Sequence, residues 1–107
     1  MSEVYTMDKR QTLQSELEAI LGSRNVYYQP PANLKIQYPA IRYKKQKIIS
    51  KKADNKKYLK KTLYEVIVID QMPDNPAIDK ILEMPYSEYD RWYSSDGLNH
   101  DGISLYY

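Results

Sequence analysis

The chain has 107 residues, 42% of them hydrophobic and 28% charged, with a net charge of only +2. That length suits one domain, residues 1–107, burying roughly 60–70% of its unfolded surface. With no cysteine there is no disulfide framework or thiolate metal site, no apolar run nears the roughly 20 residues of a membrane span, and Met1 to Asp8 lacks the regions of a signal peptide, so a soluble protein assembled in the cytoplasm is expected.

The first helix is predicted over residues 8–21. Leu13, Leu17, Ile20 and Leu21 fall at i, i+4, i+7 and i+8 and form one apolar stripe. Asp8 and Gln11 have capping-box spacing, with Thr6 as an alternative cap. Gly22 suits the left-handed stop. Val26 to Tyr28 reads as a short strand. Pro30 and Pro31 then make a corner, because proline fixes φ and removes a donor, and a new strand is entered at Pro39.

Residues 39–50 and 59–70 read as two long strands around a polar turn with Asp54-Asn55 at its middle, which makes a long hairpin with a basic tip. The second strand ends in the run Val66-Ile67-Val68-Ile69. Such a run predicts a central strand covered on both faces. A short helix follows over 76–83, with Asn75 as cap, Pro76 at its first position, Ile78, Ile81 and Leu82 on its apolar side, and Pro85 as its stop. Tyr86 to Ser94 and Leu98 to Tyr107 close the chain as two strands around Asp96-Gly97. The expected fold is α/β of the α+β type: a mixed, mainly antiparallel sheet with two helices on one face, in the order α-β-β-β-α-β-β.

Twelve tyrosines, one tryptophan and no phenylalanine make up the aromatic complement. Tyrosine hydroxyls need water or a partner, so many should lie at the rim of the core or at subunit interfaces.

Charge is segregated along the chain. Residues 42–61 carry ten basic side chains against Asp54, a net +9, while residues 62–107 carry nine acids against Lys80 and Arg91, a net −7. The lysines are Lys44, Lys45, Lys47, Lys51, Lys52, Lys56, Lys57, Lys60 and Lys61, all on the hairpin at about 44–61. They can solvate an exposed hairpin and block edge pairing. They can neutralise phosphates without sequence preference, with Tyr43, Tyr58 and Tyr64 near enough in sequence to stack. They can also lie on the acidic half of a neighbouring copy, in a head-to-tail contact that closes into a ring.

Catalytic chemistry has little to use. His100 is the only histidine, and its spacing from Asp96 and Asp101 matches no zinc or calcium loop; it reads as a turn histidine. Ser94 and Ser95 lie near it without a nucleophile elbow. Three scattered glycines make no phosphate-cradling loop. Glu83, Glu88, Asp90 and Asp96 read as acidic sheet surface. Trp92 reads as packed against the sheet. No enzyme activity, cofactor or metal is expected.

Three stretches carry a resemblance. They are Leu13 to Gly22 leading into Val26-Tyr-Tyr-Gln-Pro-Pro31; Tyr38-Pro-Ala-Ile-Arg-Tyr43 with Ala53 to Tyr58 and Tyr64 to Asp70; and Tyr89-Asp-Arg-Trp-Tyr93 with Gly97 to His100 and Ile103 to Tyr107. In this order, over nearly the whole chain, they resemble the small neck proteins of long-tailed bacteriophages, the tail-terminator or tail-completion family. The resemblance implies a mixed α/β domain assembled as a ring, commonly a hexamer, within the virion. Such a ring caps the head-proximal end of the tail tube, stops tube polymerisation and meets the head connector, and genomic DNA later passes through it. The implied partners are the protein itself, the tail tube protein, a head-closure or connector protein and DNA, with no membrane. Asp101-Gly102 departs from the bulkier residues expected there and puts the pairing of the last strand in question. The alternatives are a head-closure or adaptor protein of the same neck, and a small non-specific nucleic-acid-binding domain.

Overall fold

A computed structural model describes residues 9–52 and 58–107. The element order is α1 (Lys9–Leu21), β1 (Val26–Tyr28), β2 (Ala40–Lys52), β3 (Tyr58–Asp70), α2 (Pro76–Leu82), β4 (Ser87–Ser95) and β5 (Leu98–Tyr106). This is the expected α-β-β-β-α-β-β order. Asp8 and Thr6, the proposed caps of α1, and Asp54-Asn55, the proposed turn, lie outside the described residues.

The five strands form one mixed sheet in the order β1-β2-β3-β5-β4. Only β1–β2 is parallel; β2–β3, β3–β5 and β4–β5 are antiparallel. A parallel pair needs the chain to return to its starting end, and the proline-rich segment 29–39 makes that return. It delivers β2 so that Val26 lies opposite Ile41.

Both helices cover the same face. Leu13 and Leu17 of α1 and Ala77 and Ile81 of α2 join Ile41, Tyr43, Tyr64, Val66, Val68, Ile103 and Leu105 in one core cluster. The strand members alternate along each strand, as one face of a pleated sheet requires. Ile20, Leu21, Ile78 and Leu82 pack against the cluster and are half-buried. Gly22 ends α1 at φ +82°, with its N–H donating to the Glu18 carbonyl at 2.8 Å. Asn75 caps α2: its side chain accepts from the Ala77 N–H at 2.8 Å and donates to Asp70 at 2.7 Å.

The expectation of a β3 covered on both faces holds for burial but not through a second layer. Ile67 and Ile69 point away from the helices, yet are only 7% and 1% exposed. Ile69 sits between Ala40 and His100 in register, and the His100 ring stacks on Tyr93 at 4.7 Å. Ile67 sits between Arg42 and Gly102, in a furrow that Arg91 and Tyr93 also line. Long side chains of neighbouring strands therefore shelter the run.

Three expectations for the last two strands change. His100 lies in mid-β5 rather than in a turn, and is 8% exposed. β5 pairs along its length with both neighbours, Gly102 included. The irregularity lies instead in β4, where the register shifts between Tyr89 and Arg91 opposite Gly102. Trp92 is not packed away; it is 56% exposed.

Candidate interaction surfaces

β2 and β3 outrun the rest of the sheet. β1 pairs with β2 only as far as Tyr43, and β5 pairs with β3 only from Leu63 onward. Beyond those points, Ile48 to Lys52 pair with Tyr58 to Thr62 as a two-stranded ribbon. The molecule measures 52 × 25 × 24 Å, and its radius of gyration is 15.2 Å; a compact domain of this length has about 13 Å.

The ribbon strands hold Lys44, Lys45, Lys47, Lys51, Lys52, Lys60 and Lys61, whereas Lys56 and Lys57 lie outside the described residues. The lysines do not share one face. Lys44 and Lys45 alternate across the ribbon, and the register shift between Lys45 and Lys47 resets the alternation. Lys44 approaches Glu65 at 3.5 Å. The Lys61 ammonium sits 4.0 Å from the centroid of the Tyr86 ring, a cation–π contact at the root of the ribbon. Lys44 and Lys61 thus have partners within the same chain. Ile48 and Ile49, 46% and 40% exposed, lie among the lysines on opposite faces.

The tyrosines divide as their amphipathic character requires. Tyr43 and Tyr64 are buried beside half-buried Tyr28, with ring centroids 5.0–6.5 Å apart. The Tyr43 hydroxyl donates to Gln14 at 2.6 Å, and burial pushes its pKa up. These two rings hold α1 to the sheet and are not presented for base stacking; the Tyr58 side chain lies outside the described set. Tyr38, Tyr86 and Tyr89 are exposed.

The far edge of the sheet is β4. Its bulge has a visible consequence: Tyr89 and Trp92, three residues apart, both lie on the helix side, beside Ile103 and Asp101 in register. The Tyr89 hydroxyl donates to Asp101 at 2.7 Å and the Trp92 indole N–H to Asn99 at 3.0 Å. The Asp101 carboxylate pushes the Tyr89 pKa up to about 12. Both rings are pinned at one edge while remaining largely exposed, at 42% and 56%. Asp90 at the bulge accepts from Ser104 at 2.7 Å.

A cavity of about 450 Å³ opens at the ribbon root, between α1, the α2–β4 connection and the end of the chain. Two of its lining side chains engage each other. Tyr107 donates to Glu16 at 2.8 Å, and its pKa is pushed up to about 12 by burial and then by that carboxylate. The furrow on the open face is lined by Glu65, Ile67, Asp90, Arg91, Tyr93 and Gly102. Among the described residues, no three His, Asp or Glu side chains come together as metal ligands. Ser94 pairs with Asn99, one position beyond the Tyr93–His100 rung and on the opposite face, and His100 Nδ1 lies 3.2 Å from the Leu98 carbonyl. No helix among the described residues is long and apolar enough to cross a membrane.

Sequence reading located the basic hairpin but missed the exposed Ile48-Ile49 pair and the Tyr89–Trp92 edge. The first had a signal, since two consecutive isoleucines in a strand must face opposite sides. The second had none, because the bulge that unites the two rings is set by pairing with β5. No protein-family model matches the chain, and no curated protein sequence matches it.

Proposed function

We propose that this protein is a structural assembly protein of a phage neck, one that forms a ring on the head-proximal end of the tail tube, stops tube polymerisation and presents the surface that meets the head connector. The observation that carries the reading is the ribbon: a basic, two-stranded arm extending from a small α+β body whose remaining surface is acidic in net charge. A subunit with a positive arm and a negative body favours head-to-tail contacts, which close into rings when the rotation allows. The resemblance to tail-terminator proteins, carried by Leu13 to Gly22 with Val26 to Pro31, Tyr38 to Tyr43 with Ala53 to Tyr58 and Tyr64 to Asp70, and Tyr89 to Tyr93 with Gly97 to His100 and Ile103 to Tyr107, supplies the biological setting.

The test is genetic and visual. A phage lacking the protein should accumulate abnormally long or unattached tails beside DNA-filled heads. The purified protein should appear in negative-stain images as rings and as caps on tail tubes. Normal infectious virions made without it would rule the reading out.

A further inference from the structure

Strand edges carry unpaired N–H and C=O groups that template pairing with another chain. The sheet has two substantial free edges among the described residues. One is the outer side of β2 from Lys44 to Lys52, where β1 no longer covers it, apart from the Lys45 N–H, which donates to the Gln29 side chain. The other is the outer side of β4, Ser87–Ser95. Each is nine residues long, so each can pair with the other along its length.

Their charges select the pairing. The β2 edge holds Lys44, Lys45, Lys47, Lys51 and Lys52 and no acid. β4 and its turn hold Glu88, Asp90 and Asp96 against Arg91. Two β2 edges repel each other, and two β4 edges gain nothing in charge; only β2 against β4 is matched. Apolar surface follows the same division. Ile48 and Ile49 stand exposed on the two faces of the β2 edge, and Tyr89 and Trp92 stand exposed and hydrogen-bonded along β4.

We infer that the free edge of β2 in one copy pairs with the free edge of β4 in a second copy, extending the sheet across the subunit boundary and setting one of the two isoleucines, Ile48 or Ile49, on the face that carries Tyr89 and Trp92. This deepens the ring reading above and rests on it. The contact is heterologous: every copy offers one donor edge and one acceptor edge, so the sheet runs head-to-tail around the assembly.

Two charge-reversed proteins test it, using exposed positions away from the core. One carries E88K and D90K on β4, the other K45E and K47E on β2. Native mass is measured by light scattering across a concentration series, with thermal melts to show that both variants fold. Each variant alone should associate roughly a hundredfold more weakly than the unaltered chain, since like-charge juxtaposition costs several kcal/mol. An equimolar mixture should recover association, because each reversed β2 edge then meets a reversed β4 edge. Backbone hydrogen exchange on the unaltered chain supplies a measurement free of substitutions: amides in 45–49 and 88–94 should slow together as concentration rises. Variants that assemble like the unaltered chain, a mixture that fails to recover, a chain that stays monomeric, or protection confined to other segments would each overturn the pairing. Rings that cap tubes without protecting these edges would sink the pairing and spare the proposed function. Edge-paired rings that ignore tail tubes would do the reverse.

Discussion

Leu17 is fully buried where α1 meets the sheet. Leu17→Ala removes its transfer energy and leaves a cavity, and should cost about 2–5 kcal/mol. An unchanged denaturation midpoint would mean that α1 does not present this face to the core. The tyrosines give a pH prediction. Tyr89 and Tyr107 have pKa values pushed from an ordinary value near 10 up to about 12, the first chiefly by its bond to Asp101 and the second chiefly by burial. A folded-state pKa above the unfolded one adds stability that is fully present below about pH 10 and is lost as pH rises through about 12. Urea midpoints should therefore fall across that window, and should fall less steeply in Tyr107→Phe. An identical alkaline profile for that variant would remove Tyr107 as a cause. These values depend on neighbours 12 and 91 residues away in sequence, so no local reading of the chain could have supplied them.

At the scale of elements, α2 has only seven residues, too few to be stable in isolation. It persists because Ala77 and Ile81 are buried and Asn75 closes its first turn while also bonding to Asp70 at the end of β3. Asn75→Ala should cost about 1–2 kcal/mol; a loss below a few tenths of a kcal/mol would show the cap to be replaceable by water. Helix faces, caps and strand runs were legible because each is written in neighbouring residues. Leu13 and Leu17, or Asn75 and Pro76, need no distant partner to be recognised. The bulge in β4 was not legible, and with it went the exposure of Trp92 and the continuous pairing of Gly102. A bulge is a mismatch between two strands, and either strand alone shows only half of it.

For the molecule as a whole, the question is what meets the basic ribbon. Unmatched charge is costly to bury, so its partner in an assembly is acidic protein surface or phosphate. With protein as the partner, assembly should weaken as salt rises and proceed without DNA. Binding that requires DNA, with a log–log salt slope of about −0.9 per phosphate neutralised, would favour the nucleic-acid alternative instead. Reversing Lys51, Lys52, Lys56 and Lys57 to Glu should abolish ring formation or tube capping and leave the monomer folded. A quadruple variant that still assembles and caps normally would reduce the ribbon to a solvated edge.

The sequence by itself determined the order of the elements, their bounds to within two residues, the apolar faces of both helices and the segregation of charge, because periodicity, capping residues and composition act over a few neighbouring positions. Tertiary structure alone decided which edges stay free and which aromatic rings stay exposed. It set the pairing of β1 with β2 to stop at Tyr43 and that of β5 with β3 to begin at Leu63, leaving the ribbon unflanked. It buried Tyr43 and Tyr64 while leaving Tyr89 and Trp92 at the rim. Chemically similar residues were sorted by distance from the two helices that cover one face of the sheet, and that distance is a property of strand order and register rather than of any local pattern.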